Sequence, residues 1–247
     1  LSAATSSNVS AVVGTGTIVD SSVPTISLSG PVSVNEAAGT ITYTVSLSSA
    51  NAAPVSVNYA TTNGTATAGS DYTAASGSLT FNPGEVSKTF TVAITNDSVF
   101  EGAENFQVNL SSPTNATIAT GNVTTTIRDD GTGTGGGDDD RLVVTSVSSP
   151  TVAEGGNLIF AVNLSGTSTT ATTVNVTPSS GTAILGTDTG VQEYSTNGGG
   201  IWLPLAGGNV SVPAGVSSFQ VRVATVSDGL AESNETISLS AATTKNV

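Results

Sequence analysis

Ile41-Thr-Tyr-Thr-Val-Ser-Leu47 carries an apolar side chain at every second position, with Thr and Ser between. A period of two buries one face of a β-strand and matches no face of a helix. The alternation recurs at Val55-Val57-Tyr59, Leu79-Phe81, Phe90-Val92-Ile94 and Phe106-Val108-Leu110. Asn63-Gly64, Pro83-Gly84 and Asn96-Asp97 separate these runs with turn chemistry. About seven short strands at this spacing predict an antiparallel sandwich of immunoglobulin type. No segment carries an apolar stripe of helical period.

Further along, the plan repeats. Leu158-Phe160-Val162-Leu164, Val174-Val176, Val210-Val212, Phe219-Val221-Val223 and Ile237-Leu239 alternate in the same order. Between Ser180 and Asn209 this second copy is longer, and the extra stretch includes Gly198-Gly-Gly-Ile-Trp-Leu-Pro-Leu205. The expectation there is an added hairpin covering one end of the core, with Trp202 packed beneath it; a sugar-stacking platform is the functional alternative.

A shorter repeat brackets the chain. Leu1-Ser-Ala-Ala-Thr-Ser-Ser-Asn-Val9 matches Leu239-Ser-Ala-Ala-Thr-Thr-Lys-Asn-Val247 at seven of nine positions. A weaker copy starts at Leu110, and it aligns with the first without a gap from Leu1/Leu110 to Asp20/Asp129. Internal repetition of this kind points to modules of one design. The organisation expected is therefore a terminal strand in residues 1–20 that completes a preceding or neighbouring module, and a complete sandwich in 23–130. A flexible Gly/Asp linker follows in 131–140, then a second sandwich in 141–247 that lacks its last strand.

Composition narrows the chemistry. Charged residues make up 9% of the 247, and abundant Val, Ile and Thr argue against disorder. Eighteen acidic residues face five basic ones, for a net charge of −13. Such a surface repels phosphate backbones and anionic membranes, so nucleic acid is not an expected partner. Neither Cys nor His is present, which removes disulfides, thiolate sites and the commonest general base. No stretch is apolar enough for a membrane span.

The acidic residues fall at strand ends and turns, in matching order. The first module places Glu36, Asp71, Asp97, Glu101, Glu104, Asp129 and Asp130; the second places Glu154, Glu193, Asp228, Glu232 and Glu235. Asp20 occupies the position of Asp129 in the terminal repeat. Hard oxygen donors without His or Cys suit Ca²⁺. The competing reading is that isolated acidic turns keep an otherwise uncharged β-protein soluble, and for Glu85 that reading prevails.

Val34-Asn-Glu36, Asp71-Tyr72, Asn96-Asp97, Phe100-Glu101, Glu104-Asn105-Phe106 and Ile127-Arg-Asp-Asp130 together resemble the Calx-beta domain family. The resemblance implies a calcium-binding, immunoglobulin-like sandwich of the sort repeated in large bacterial surface proteins. It spans the first module; the second is a looser match through Glu154, Asp228, Glu232 and Glu235. It departs where the family often ends in three Asp, since Asp129-Asp130 is followed by Gly131.

The expected function is structural, with no enzymatic activity: a calcium-stabilised segment of an extracellular fibre, stalk or surface layer, joined head-to-tail to adjacent repeats or to copies of itself. Two alternatives stand beside it. One is a filament subunit joined by donor-strand exchange. The other is an adhesin module binding a surface glycan or receptor, against which the 4% aromatic content weighs.

Overall fold

The computed structural model describes residues 13–16, 22–229 and 233–244. Most of the expected terminal strand, including Asp20, lies outside these residues. Val13 to Gly16 belong to no strand and are exposed.

Each predicted run forms a strand. The first module holds β1 Thr25–Ser29, β2 Ser33–Asn35, β3 Thr40–Leu47, β4 Val55–Asn63, β5 Ser76–Phe81, β6 Ser87–Ala93, β7 Val99–Phe100, β8 Glu104–Thr114, β9 Thr117–Thr120 and β10 Asn122–Arg128. They make two sheets, ordered β6-β3-β1-β9 and β2-β10-β8-β4-β5. Most pairs are antiparallel; β1–β9 and β10–β2 are parallel. Inward residues of both sheets interleave around Tyr43, Val57, Phe81, Phe106 and Val108, all nearly inaccessible to water. The Tyr43 hydroxyl meets that of Thr125, which also donates to Pro31 O, so the polar atoms this deep are paired.

The second module contains β11 Val144–Val147, β12 Asn157–Leu164, β13 Thr167–Ser168, β14 Thr172–Ser180, β15 Thr189–Ser195, β16 Leu203–Pro204, β17 Asn209–Val212, β18 Ser218–Thr225 and β19 Ile237–Thr243. Its sheets run β11-β12-β18-β15-β16 and β17-β14-β19. The inserted stretch is the expected hairpin, β15–β16, added to the edge of β18. Trp202, however, does not pack under the core. The Arg222 guanidinium sits 4.4 Å from its ring centre, a cation–π contact on the outer face. The first module closes its five-strand sheet with β10 and β2. Among the described residues nothing pairs with the free edge of β19.

Residues 131–140 do not behave as a loose linker. Thr134 O accepts from Asn35 N at 3.0 Å, and Asn35 Nδ2 donates to Thr132 O and Asp138 O. Gly133, at φ +97°, lies so near β2 that a Cβ would come within 2.5 Å of the Val34 carbonyl carbon. Glycine here permits close approach of two backbones rather than freedom of movement. A second tie joins the modules: β13 pairs in parallel with β7, and the Ser168 hydroxyl donates to Phe100 O at 2.9 Å.

Phe106→Ala empties the centre of the first core and is expected to lower its stability by about 3–5 kcal/mol, whereas Ile159→Ala, on an exposed face, should change it by less than about 0.5 kcal/mol. Urea unfolding of the two variants checks the contrast.

Candidate metal centre

The β2–β3 connection places the first carboxylate. Asn35 caps a single 3-10 turn, Glu36–Ala38, by accepting from Ala37 N, and this turns Glu36 inward. Its Oε1 accepts from Asp97 N at 2.8 Å. Asp129, one residue past β10, accepts from Glu101 N at 2.8 Å. Asp140 arrives from the inter-module segment. Ligand atoms of Glu36, Asp129 and Asp140 lie within 4.8 Å of one another.

A second group forms beside the first. Asp71 sits in the β4–β5 loop and accepts from Thr67 N at 2.5 Å. Glu101 and Glu104 flank the start of β8, and their oxygens come within 4.8 Å of one on Asp71. Glu36, Asp71, Glu101, Glu104 and Asp129 all line one cavity of about 10 Å³, space for roughly one water-sized sphere.

Electrostatics in this pole are unfavourable as they stand. Burial, then the charges of Asp71 and Glu104, push Glu101 up to about 7. Burial and the Asp71 charge likewise push Glu104 up to about 7. Burial also raises Asp129, with Glu36 and Asp140 adding to it, and Glu36 and Asp140 are raised for the same reasons. Asp71 goes the other way: burial opposes its charge, yet the Thr67 N–H and nearby hydroxyls hold it below the usual range. Two buried oxygens, Asp129 Oδ1 and Asp140 Oδ2, have no hydrogen-bond partner. An unpaired buried carboxylate oxygen is costly and asks for a cation. All the donors are carboxylate oxygens, the set that Ca²⁺ takes. The residues present therefore fit a divalent ion.

Several residues expected in the site fall elsewhere. Asp97 caps Val99 N through Oδ1 and contributes charge to both groups without joining either tight cluster. Asp130 joins neither tight group: its Oδ1 takes the Thr132 N–H and hydroxyl, and Oδ2 lies 3.7 Å from Arg128 Nη1. Glu193 also lies outside both groups, and Arg222 holds it from Nη2 at 2.5 Å and Nε at 2.6 Å. Glu154, Asp228 and Glu235 are exposed at one pole of the second module. Glu232 and Asp20 lie outside the described residues.

Two acids in the structure's clusters and pockets were not among those expected. Asp140 was assigned to the linker, although three consecutive Asp are a signal for gathering by a cation. Asp188 is the true counterpart of Asp71. Ile184 N donates to Asp188 Oδ2 as Thr67 N does to Asp71 Oδ2, and Val226 N bonds Asp188 O as Thr95 N bonds Asp71 O. The signal was present in Gly69-Ser-Asp71 against Gly186-Thr-Asp188.

The raised groups fix a pH dependence. In the ion-free chain Glu101 and Glu104 keep protons that the unfolded chain has already lost, so the stability they contribute is fully present below about pH 4.5 and is lost as pH rises to about 7. Thermal melts in chelator across that range should show Tm falling with pH; a rise would contradict the arrangement. Asp129→Asn, which keeps this group, otherwise raised to about 8, neutral at every pH with nearly constant shape, should raise Tm in chelator above about pH 8 and change it little at lower pH.

Comparison with known proteins shows the family. The Calx-beta domain model matches residues 20–131 and 138–247. Sodium/calcium exchanger 1 of Canis lupus familiaris is 49% identical over 57 residues, 23% of this chain and 6% of that protein. Sodium/calcium exchanger 2 of Rattus norvegicus is 46% identical over 54 residues. The chain thus spans a small fraction of the length of these relatives. Among solved structures, the apo-form Calx CBD1 domain is 31% identical, with a TM-score of 0.41 over 43% of this chain and 98% of that one. The calcium binding domain CBD12 of CALX1.1 is 21% identical, with a TM-score of 0.41 over 82% of this chain and 76% of that one. With two matches covering nearly its whole length, the chain belongs to the Calx-beta domain family.

Proposed function

We propose that this chain is a calcium-stiffened structural segment of an extracellular fibre, stalk or surface layer. The observation that carries the reading is the pair of orphaned buried oxygens on Asp129 and Asp140. One belongs to the first sandwich and the other to the segment leading into the second. A Ca²⁺ ion held by Glu36, Asp129 and Asp140, with Asp71, Glu101 and Glu104 beside it, would supply positive charge to both groups. The residues themselves do the positioning: Asn35 pins residues 132–138 by four hydrogen bonds to their backbone, and this brings Asp140 back to the pole. With the repulsion relieved, the segment between the modules is bound to the first sandwich along its length.

The net charge of −13 gives a surface that attracts divalent cations. A second reading, a calcium-responsive switch, is favoured by the local identity to the sodium/calcium exchangers. Affinity separates the two. A midpoint of about 10⁻⁴–10⁻³ M suits a permanently loaded extracellular module, and one of about 10⁻⁷–10⁻⁵ M suits a sensor.

Titration calorimetry with Ca²⁺ should show binding that Asp140→Asn weakens at least about tenfold, while Glu193→Gln leaves it unchanged. Saturating Ca²⁺ should also raise Tm by several degrees, roughly what about 1–3 kcal/mol of ligand linkage produces. An identical melt with and without Ca²⁺ would overturn the proposal.

A further inference from the structure

A groove of about 780 Å³ runs between the two sheets of the second module. Leu158 and Phe160 line one wall, Ile237 and Leu239 the other, and Glu154 and Asp188 stand at one end. These walls are inward faces of a sandwich. The edge of β19 beside them has no strand on it among the described residues, although β8, its counterpart, carries β10 there.

We infer that this groove receives the amino-terminal segment, residues 9–20, of a second copy of the chain.

The occupant is named by the repeat. Leu1–Asp20 aligns without a gap on Leu110–Asp129, and within that stretch lies β10, the strand that fills the equivalent space in the first module. The alignment sets Ile18 at the place of Ile127, which is buried, and Asp20 at the place of Asp129. The two acceptor frames correspond residue by residue. Ala66 N bonds Asn105 O in the first module, and Ala183 N bonds Thr236 O in the second. Phe106 and Val108 of β8 therefore match Ile237 and Leu239 of β19, a register two residues away from the one that setting Leu239 on Leu110 by the sequence repeat would give.

One pair of differences is complementary. In the first module Tyr43 and Thr125 join their hydroxyls inside the core. In the second, Phe160 takes the place of Tyr43 and offers no hydroxyl; in the amino-terminal segment Gly16 takes the place of Thr125 and needs none. Both halves of the buried polar pair are exchanged together, so docking leaves no unpaired hydroxyl.

The chain's own segment cannot reach. Thr25 O accepts from Ser48 N, just past β3, which places the start of β1 at the end of the first module away from Glu36. The second module is attached at the Glu36 end through Asp140. Its groove ends at Glu154, beyond the eight residues of β12. Asp20 would have to travel the lengths of β3 and β12, about 27 Å each at about 3.4 Å per residue. Residues 21–24 span at most roughly 14 Å. Filling the groove with residues 9–20 therefore takes a second chain, joined head to tail. The described part of the segment is available, with Val13 83% exposed.

The chain contains no Cys, so one engineered disulfide reads the register. Thr124 faces Gln107 in the first module, and the same register sets Thr15 opposite Ser238. Facing residues of an antiparallel pair lie about 4.5–5.5 Å apart at Cα, within disulfide range. The full chain carrying Thr15→Cys and Ser238→Cys, oxidised and run without reductant, should give a ladder of covalent dimers, trimers and longer species. Thr15→Cys with Ser240→Cys, out of register, should give at least about fivefold less, and adding Ile18→Asp to the first pair should cut the ladder at least about tenfold. A disulfide closed within single chains, a ladder as strong out of register, or no ladder at all would each overturn the inference. Docking does not require bound calcium: a ladder equally strong in Ca²⁺ and in chelator upholds it, and the calcium reading is judged by calorimetry instead.

Discussion

Like charges held together out of water set the terms for this molecule. Glu36, Asp129 and Asp140 bring their oxygens within 4.8 Å, and two of those oxygens have nothing to bond. Among the described residues, Arg128 and Arg141 are engaged with Asp130 and Asp139 rather than with this group. The sandwich beneath is a rigid platform that keeps the carboxylates from moving apart. Phe106 stacks on Tyr72 with ring centres 4.3 Å apart, directly after Asp71 in sequence and two residues after Glu104. Packing energy from the core is thus spent on holding a repulsive pole in place, a common arrangement where a ligand is to be bound.

The two modules show how the same frame serves different local chemistry. Where the first module ends its sheet at β6, the inserted hairpin of the second adds β15 and β16 beyond β18 and places Glu193 beside Arg222 and Trp202. This trio braces the outer face of β15 and β18 and belongs to the sheet rather than to any ion site. At the pole, Glu154, Asp188, Asp228 and Glu235 stand along one cavity but are spread by its width. In the first module β10 and the 131–140 segment bring Asp129 and Asp140 to the same pole as Glu36.

Strands were the most legible part of the sequence, since alternation at Ile41 to Leu47 or Phe219 to Val223 directly encodes which face is buried. Acidic positions in the first module were legible for a related reason: Glu36, Asp71, Glu101, Glu104 and Asp129 each follow or precede a strand whose ends are fixed by its pattern. What was not legible depends on contacts between distant segments. Nothing local to Gly131–Asp140 shows that Asn35, about a hundred residues earlier, will fasten it down. Glu193 looked equivalent to Asp71 through its neighbouring Tyr194, yet hydrogen bonds at Ile184 and Val226 show that Asp188 holds that place. Trp202 was expected inside because it is large and apolar; its π-face instead found a guanidinium.

The short parallel bridge between Val99–Phe100 and Thr167–Ser168 has a mechanical corollary. Its strands lie side by side and run the same way, and the Ser168 hydroxyl adds a bond to Phe100 O. Tension drawn along the strands would strain those bonds together in shear instead of unzipping them in turn. A junction of that kind resists creep and then gives way abruptly, so the hinge between sandwiches would act as a latch with a threshold rather than as a spring.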